Sequence, residues 1–402
     1  MTSLRILHVV PYYQHAWAYG GIPRVATTLT QGLARRGHHV TVFTTDACDE
    51  RSRSNAPHTA DRLRGSLDVQ VFPNLSNRLA YHWQFFMPSG LSAKLRESAG
   101  SFDVGHIHAC HNLPAAQAAR ALLRAGVRYV LSPHGTAPAF ERRVLAKQIF
   151  TRTAGRHVLP GAARVLAVSD AERRQLLRLG IPPHRIAVVS NPIEDREYDP
   201  KPDGASFRST HGLRESPIIL FLGKLTPRKG VDVLLRAFAT LRWTEARLVI
   251  AGNDMASGAL DTLLEPSIAA RVQRVGLLRG RDRLDALAAA DVVVYPSRDE
   301  VFGLVPVEAL MCGSPVIVSN DSGCGEIIGT IGGGHIVPYG DANELAGAID
   351  SILDLPDLWR RRARAAADRA RVRFGTDVVC EELEAVYLEA IGARGEEGRR
   401  SA

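Results

Sequence analysis

The chain has 402 residues, enough for two or three domains at about 150 residues each, and its 45% hydrophobic and 23% charged composition excludes a disordered, collagenous or disulfide-scaffold protein. The net charge of 50 − 42 = +8 gives anionic partners a hearing, yet only five of the 50 cations are lysines, so the excess reads as a general arginine bias rather than a nucleic-acid footprint. The five cysteines are scattered without a CxxC pair, which leaves no disulfide framework or zinc ribbon to expect.

The opening residues MTSLRILHVVPYY, interrupted by His8 and Pro11, read as a first strand rather than a signal peptide. No run approaches 18 uninterrupted apolar residues, so a cytoplasmic protein without a transmembrane helix is expected. From there short β-branched runs alternate with helical patterns, the signature of βαβ units and parallel sheets. In the first half strands are expected at Leu4–Val10, His39–Thr44, Asp68–Phe72, Val104–His108, Tyr129–Ser132, Val165–Val168 and Ala187–Val189. The clearest helix runs Pro23–Arg36, with Pro23 at a first helical position and Gly37 as its cap, and Ser169-Asp170-Ala171-Glu172 reads as a capping box. The pattern lapses from Pro192 to Gly212, the best linker candidate.

A second series follows at Ile218–Leu222, Arg247–Ala251, Val272–Val275, Val292–Tyr295 and Val316–Ser319, with helices starting at Gly230, Asp282 and Pro306. The run Arg360–Arg373 is Ala-rich and free of aromatics, so it reads as a solvated helix and no nucleic-acid partner is expected. Asp377–Ile391 is apolar at helical spacing and needs a surface to cover. The fold class is therefore α/β, two Rossmann-like domains joined by a linker.

Four segments carry candidate chemistry. After the second domain's first strand, GKLTPRKG places Lys224, Arg228 and Lys229 at a strand's carboxyl end before a helix, where phosphate is the natural ligand. After the strand VVVYPS, the string EVFGLVPVE brings Glu300 onto a loop and Glu308 into the first turn of a helix opened by Pro306; carboxylates there suit sugar or ribose hydroxyls, and Gly303 allows close backbone approach. Gly20 and Gly21 precede the Pro23 helix without forming a GxGxxG fingerprint. His134 in SPHGT ends another strand, where an imidazole can orient a hydroxyl. His106, His108 and His111 in HIHACH lack a recognised zinc spacing, so no metal is expected. A DxD pair, HExxH, GxSxG and GxxxxGK[ST] are all missing from the sequence, which counts against acyl hydrolysis and P-loop phosphoryl transfer.

In chain order, YGGIPRV, FDVGHIH, SPHGT, AVSDAE, VVSNPIE, GKLTPRKG, LVIAGND, AAADVVVYPS, EVFGLVPVEALMCGSPVIVS and SGCGEII resemble the retaining GT-B glycosyltransferases, specifically glycosyltransferase family 4. The resemblance implies an acceptor-binding domain at 1–192, a nucleotide-sugar donor domain at 193–374, the two facing across a cleft, and a C-terminal helix at 375–392 packing back on the first domain. It implies no metal and no cofactor beyond the donor substrate. It further implies that Lys224 and Lys229 neutralise the donor diphosphate, that Glu300 holds sugar hydroxyls, and that backbone amides of Phe302, Gly303 and Leu304 lie near sugar or phosphates. Glu308 would bind the ribose, His134 would sit beside the transferred sugar, and Gly20 and Gly21 would close on the diphosphate. Two departures stand out: Lys224 where the family often has Arg, and Ser322-Gly323 where it usually has two glycines.

The function expected from this resemblance is retaining transfer of a hexose from a nucleotide diphosphate sugar to a saccharide or lipid-linked acceptor, in cell-surface polysaccharide, lipopolysaccharide or glycolipid assembly. The alternatives are a nucleotide-sugar epimerase and a binding protein without catalysis. Tyr81–Met87, an aromatic stretch near Lys94 and Arg96, suits either peripheral contact with the inner membrane face or the buried core of the acceptor domain, the plainer reading.

Overall fold

Strand β1 (Arg5–Val9) is buried at four of its five residues, as expected of a parallel strand covered on both faces. The computed structural model containing it describes residues 3–54, 66–138, 144–213, 215–253 and 262–400. These divide into two units, Met1–Ile193 with Thr376–Ala402, and Glu194–Gly375.

In the first unit β1 is joined by β2 (His39–Thr45), β3 (Ser66–Phe72), β4 (Val104–His108), β5 (Tyr129–Ser132), β6 (Arg164–Ala167) and β7 (Ile186–Val188). The order is β3-β2-β1-β4-β5-β6-β7, every pairing parallel. The order reverses between β1 and β4, the place where open α/β sheets bind ligands beyond the strands' carboxyl ends. The second unit repeats the plan with β8 (Ile218–Leu222), β9 (Arg247–Ala251), β10 (Val272–Gly276), β11 (Val292–Tyr295), β12 (Val316–Ser319) and β13 (Gly334–Val337), ordered β10-β9-β8-β11-β12-β13 and again parallel. Its reversal lies between β8 and β11. Asp254, the last residue of LVIAGND, lies outside the described residues.

The helix Ile22–Arg35 carries its proline in the first turn and ends before Gly37, whose φ of 101° suits a residue without Cβ. The final helix, Thr376–Arg400, packs on it: a Cβ at Gly32 would come within 2.6 Å of Cys380 Sγ and of Thr376 Cγ2. Glu384 closes this contact, accepting from Arg36 Nη2 at 2.9 Å and lying 2.9 Å from His38 Nε2. Val379, Leu383, Val386 and Tyr387 are buried. In the second unit the helix Pro356–Phe374 buries Ala363, Ala366, Ala367 and Ala370 while most of its arginines face outward, the solvated helix expected of the basic run.

Several local readings need correction. β13 was missed because four residues after a glycine run carry too little apolar signal. The 192–212 stretch is not merely a linker: it holds a 3-10 turn at Asp195–Tyr198 and a helix Gly204–Thr210, capped by Asp203 and anchored by buried Phe207. Pro306 does not open its helix, which starts at Leu304 after Gly303, so Pro306 is third and Glu308 falls beyond the first turn. Proline is tolerated there because the first helical N–H groups have no intrahelical partner. Tyr81–Met87 is core only in part: Phe86 is buried against Tyr12 and Tyr19, while Trp83 and Phe85 are exposed.

Candidate active site

The basic loop of the second unit follows β8 and is pinned against the loop after β11. Lys224 lies half-buried two residues past β8, and Pro227–Lys229 form a 3-10 turn ending at Gly230. Gly230 has φ 69°, and a Cβ on it would lie 2.1 Å from Pro296 O, so no other residue fits this approach. Arg298 N donates to Arg228 O at 2.8 Å, and Arg228 Nη1 donates to Asp299 O at 3.3 Å. These bonds hold two neighbouring strand ends in register.

Lys229 and Glu300 meet as a result. Lys229 Nζ donates to Glu300 Oε2 and to Tyr295 OH, and Tyr295 OH donates to the same Oε2 at 3.2 Å. Both charged side chains are mostly buried, at 12% and 16% exposure. Burial opposes ionisation of Glu300, but the Lys229 and Arg228 cations and the hydrogen bonds from Lys229 and Tyr295 outweigh it and hold the carboxyl down at about 2. The sequence pointed to both ends of this pair and missed Tyr295, hidden as the last residue of the apolar strand VVVY.

Beyond Glu300 the chain turns into the Leu304–Met311 helix. Gly303 has φ 76°, and a Cβ there would lie 2.1 Å from Cys324 Sγ. Gly323 N donates to Glu300 O at 2.6 Å, and Ser322 Oγ accepts from Gly325 N at 3.4 Å, so Ser322 caps the Gly323–Ile331 helix in the unusual Ser-Gly pair. Phe302 is buried with its ring edge-on to Phe374, leaving its backbone rather than its side chain for a ligand. Leu304, as first helical residue, carries an N–H without an intrahelical acceptor. Glu308 is 2% exposed and accepts from Arg283 Nη1, while Arg283 Nη2 donates to Glu197 at 3.2 Å. Arg283 escaped the sequence reading because nothing in its helix pattern marks a buried arginine.

In the first unit Gly20 takes φ 100° and Gly21 caps the Ile22–Arg35 helix, beside Tyr19 stacked on Tyr12 at 4.4 Å. His134 sits at φ 51° in a turn held from three sides. Thr136 N donates to Pro133 O at 3.0 Å, Thr136 Oγ1 accepts from Cys110 N at 3.0 Å, and Glu172 Oε1 accepts from Gly135 N at 2.5 Å. Glu172 also accepts from Val168 N at 2.8 Å, and its own N–H donates to Ser169 Oγ at 3.2 Å. The residue read as half of a capping box therefore also positions the histidine turn. His134 Nε2 lies 3.0 Å from His108 Nδ1, within a cluster containing His8 and His106. His111 faces Phe150 instead. Burial lowers His134 to about 4 and His8 to about 3, and burial with neighbouring imidazoles takes His106 and His108 well below the ordinary range. All four are neutral at pH 7.

Residues 19–197 match the family described as Glycosyltransferase Family 4, and residues 205–369 match Glycosyl transferases group 1. A D-inositol 3-phosphate glycosyltransferase of Kineococcus radiotolerans is 30% identical across 98% of this chain and 97% of that protein. The chain belongs to glycosyltransferase family 4. As a member of that family it is a glycosyltransferase, and its two parallel sheets form the GT-B fold. Alpha-D-kanosaminyltransferase of Streptomyces kanamyceticus is 29% identical over 64% of this chain and 68% of its own. Among solved structures, Anabaena Alr3699/HepE in complex with UDP and glucose matches with a TM-score of 0.73 at 20% identity, covering 95% of this chain and 99% of that one. WaaG, a glycosyltransferase involved in lipopolysaccharide biosynthesis, matches at 0.67 and 20%, covering 94% and 98%. Among the described residues no helix is long and apolar enough to cross a membrane.

Proposed function

We propose that this glycosyltransferase moves a hexose from a nucleoside diphosphate sugar to a hydroxyl acceptor with retention of anomeric configuration and without a metal. The observation that carries the reading is the Lys229–Glu300–Tyr295 contact at the β8/β11 reversal, which puts a cation suited to a diphosphate against a carboxylate suited to sugar hydroxyls. Breaking the anomeric bond leaves negative charge on the diphosphate and positive character on the sugar. Lys224 and Lys229 answer the first, each charge-assisted contact contributing about 1.5–3 kcal/mol. The N-terminus of the Val231–Ala239 helix adds up to about 2 kcal/mol.

Glu300 holds sugar hydroxyls, Glu308 the ribose, and the backbone of Phe302, Gly303 and Leu304 the sugar or phosphates; we assign Gly20 and Gly21 to the diphosphate and His134 to the transferred sugar. The attacking hydroxyl approaches from the face the diphosphate leaves, and the leaving phosphate accepts its proton. The protein works in the cytoplasm, in assembly of cell-surface polysaccharide, lipopolysaccharide or glycolipid. The full-length likeness to a D-inositol 3-phosphate glycosyltransferase makes a phosphorylated cyclitol the first acceptor to try.

The test is a chelator-treated screen of uridine, guanosine and adenosine diphosphate sugars, read by thermal shift and by slow release of free sugar. Selective stabilisation by one donor with release of its sugar supports the reading, and the anomeric proton of a transferred product reports retention. No response to any donor, or one that needs added metal, overturns it.

A further inference from the structure

A buried chain of hydrogen bonds links the C-terminal helix to His134 inside the first unit. His8 on β1 lies opposite His106 on β4, and His108, two residues on, shares the face of His106. Tyr387 of the Thr376–Arg400 helix enters between them. In order, Ser132 Oγ lies 2.7 Å from His106 Nε2, His106 Nδ1 lies 2.7 Å from Tyr387 OH, and Tyr387 OH lies 3.3 Å from His8 Nε2. His8 Nδ1 then lies 3.0 Å from His108 Nε2, and His108 Nδ1 lies 3.0 Å from His134 Nε2. Of the eight ring nitrogens, seven have partners within this chain, and the eighth, His134 Nδ1, is buried with none among the described residues.

Proton counting fixes the direction. Four neutral imidazoles, one phenol and one hydroxyl bring one proton each to five contacts, so the protons point all one way or all the other. If Ser132 donates to His106, every contact is filled and His134 keeps its own proton on Nδ1. In the opposite sense His134 Nδ1 is a bare acceptor and the Ser132 proton also needs an acceptor, whereas among the described residues Ser132 Oγ has His106 as its sole partner. The first arrangement leaves one polar atom unmatched and the second leaves two. A metal held by His8, His106 and His108 would have to displace these shared protons, because all six of their ring nitrogens are already engaged.

We propose that this chain locks His134 as the Nδ1–H tautomer, making Nδ1 a fixed hydrogen-bond donor to an oxygen of the transferred sugar, with Tyr387 as a positioning residue acting through His8 and His108. The inference rests on the placement of His134 beside the sugar in the proposed function. It gives the C-terminal helix a part in tuning the site, beyond covering apolar surface.

The experiment uses the full chain labelled with 15N-histidine and dialysed against chelator, read by two-bond proton–nitrogen correlation spectra, together with steady-state kinetics. In the unaltered protein all four imidazoles should read as Nδ1–H, opposite to the form free histidine prefers in water. Tyr387→Phe, which keeps the ring and removes the link, should give His134 a mixed tautomer signature and lower kcat about tenfold, with donor KM changed less than about twofold. Ser132→Ala, at the far end of the chain, should move both readouts the same way. A His134 protonated on Nε2, a metal retained by the cluster after dialysis, or tautomers unmoved by Tyr387→Phe overturns the proposal. The tautomer spectra need no substrate, so a failure of donor binding in the unaltered chain overturns the functional reading separately.

Discussion

Lys229 and Glu300, 71 residues apart in sequence, are joined through Nζ and Oε2, with Tyr295 OH donating to the same carboxylate oxygen at 3.2 Å. In the proposed function an incoming diphosphate competes with Glu300 for that ammonium, so occupying the donor site exchanges one anionic partner for another. Lys229→Ala and Glu300→Gln should each lower transfer by at least about 10²-fold, the scale of losing a preorganised transition-state contact, in chains that still unfold cooperatively in urea. Near-normal turnover in either would remove the pair from the chemistry.

The same pair predicts an acid-sensitive share of stability. Glu300 titrates at about 2 in the folded chain against 4.5 ordinarily, so its contribution is fully present above about 4.5 and drains away as pH falls toward 2. The stability gap between the parent chain and Glu300→Gln, from urea unfolding, should hold steady from pH 8 to pH 5 and narrow by pH 3.5. A gap independent of pH would mean that Glu300 carries no depressed pKa.

Gly303→Ala should be costly. Its φ of 76° disfavours a side chain, and the new methyl would meet Cys324 Sγ at 2.1 Å. A loss of about 1–3 kcal/mol of folding stability is expected, with weaker donor binding as the loop after Glu300 shifts. Unchanged thermal stability and donor affinity would contradict it.

How much of this was legible follows the kind of signal each residue leaves. Parallel strands buried on both faces write themselves as apolar runs, which is why β8 and β11 were found at their observed limits and β13, four residues behind glycines, was not. Lys229 and Glu300 stood out as charges at strand ends. Tyr295, Glu172 and His8 did not, since each sits inside a pattern with an adequate local explanation: a core strand, a helix cap, an interrupted first strand. Their roles arise from contacts across 66, 37 and 100 residues, which no local spacing encodes.

Arg283 shows the same limit and yields a sharp stability test. Its guanidinium holds buried Glu308 and also reaches Glu197 at 3.2 Å. Arg283→Met should cost about 3–5 kcal/mol in urea unfolding by stranding a buried carboxylate, and adding Glu308→Gln should restore a large part of that. Additive losses in the double variant would show the two side chains to be uncoupled.

The exposed side chains of Leu75, Leu79, Trp83 and Phe85 lie close together in sequence around the Asn77–Trp83 helix, next to exposed Arg78. Such an apolar and basic surface suits an anionic leaflet carrying a lipid-linked acceptor. The protein should cosediment with vesicles containing anionic lipid, and the combined Trp83→Ala and Phe85→Ala variant should lose at least about half of that binding at unchanged folding stability. Equal cosedimentation of both proteins would dispose of the membrane contact. Phe86, buried against Tyr12 and Tyr19, serves as the control whose replacement lowers stability instead.

Glu172 bonds two separate backbone segments through a single carboxylate. One oxygen accepts from Val168 N at the end of β6 and the other from Gly135 N in the turn presenting His134, so the two strand ends are set relative to each other by one buried side chain. Glutamine in its place keeps the size but supplies one acceptor instead of two, leaving a backbone N–H unmatched. Glu172→Gln should therefore lose about 1–3 kcal/mol in urea unfolding. Because the loosened turn carries His134 and not the lysines proposed to bind the diphosphate, kcat should fall several-fold while donor KM stays near the parent value. A stability loss of that size with kcat unchanged would mean that the position of the His134 turn does not limit the reaction.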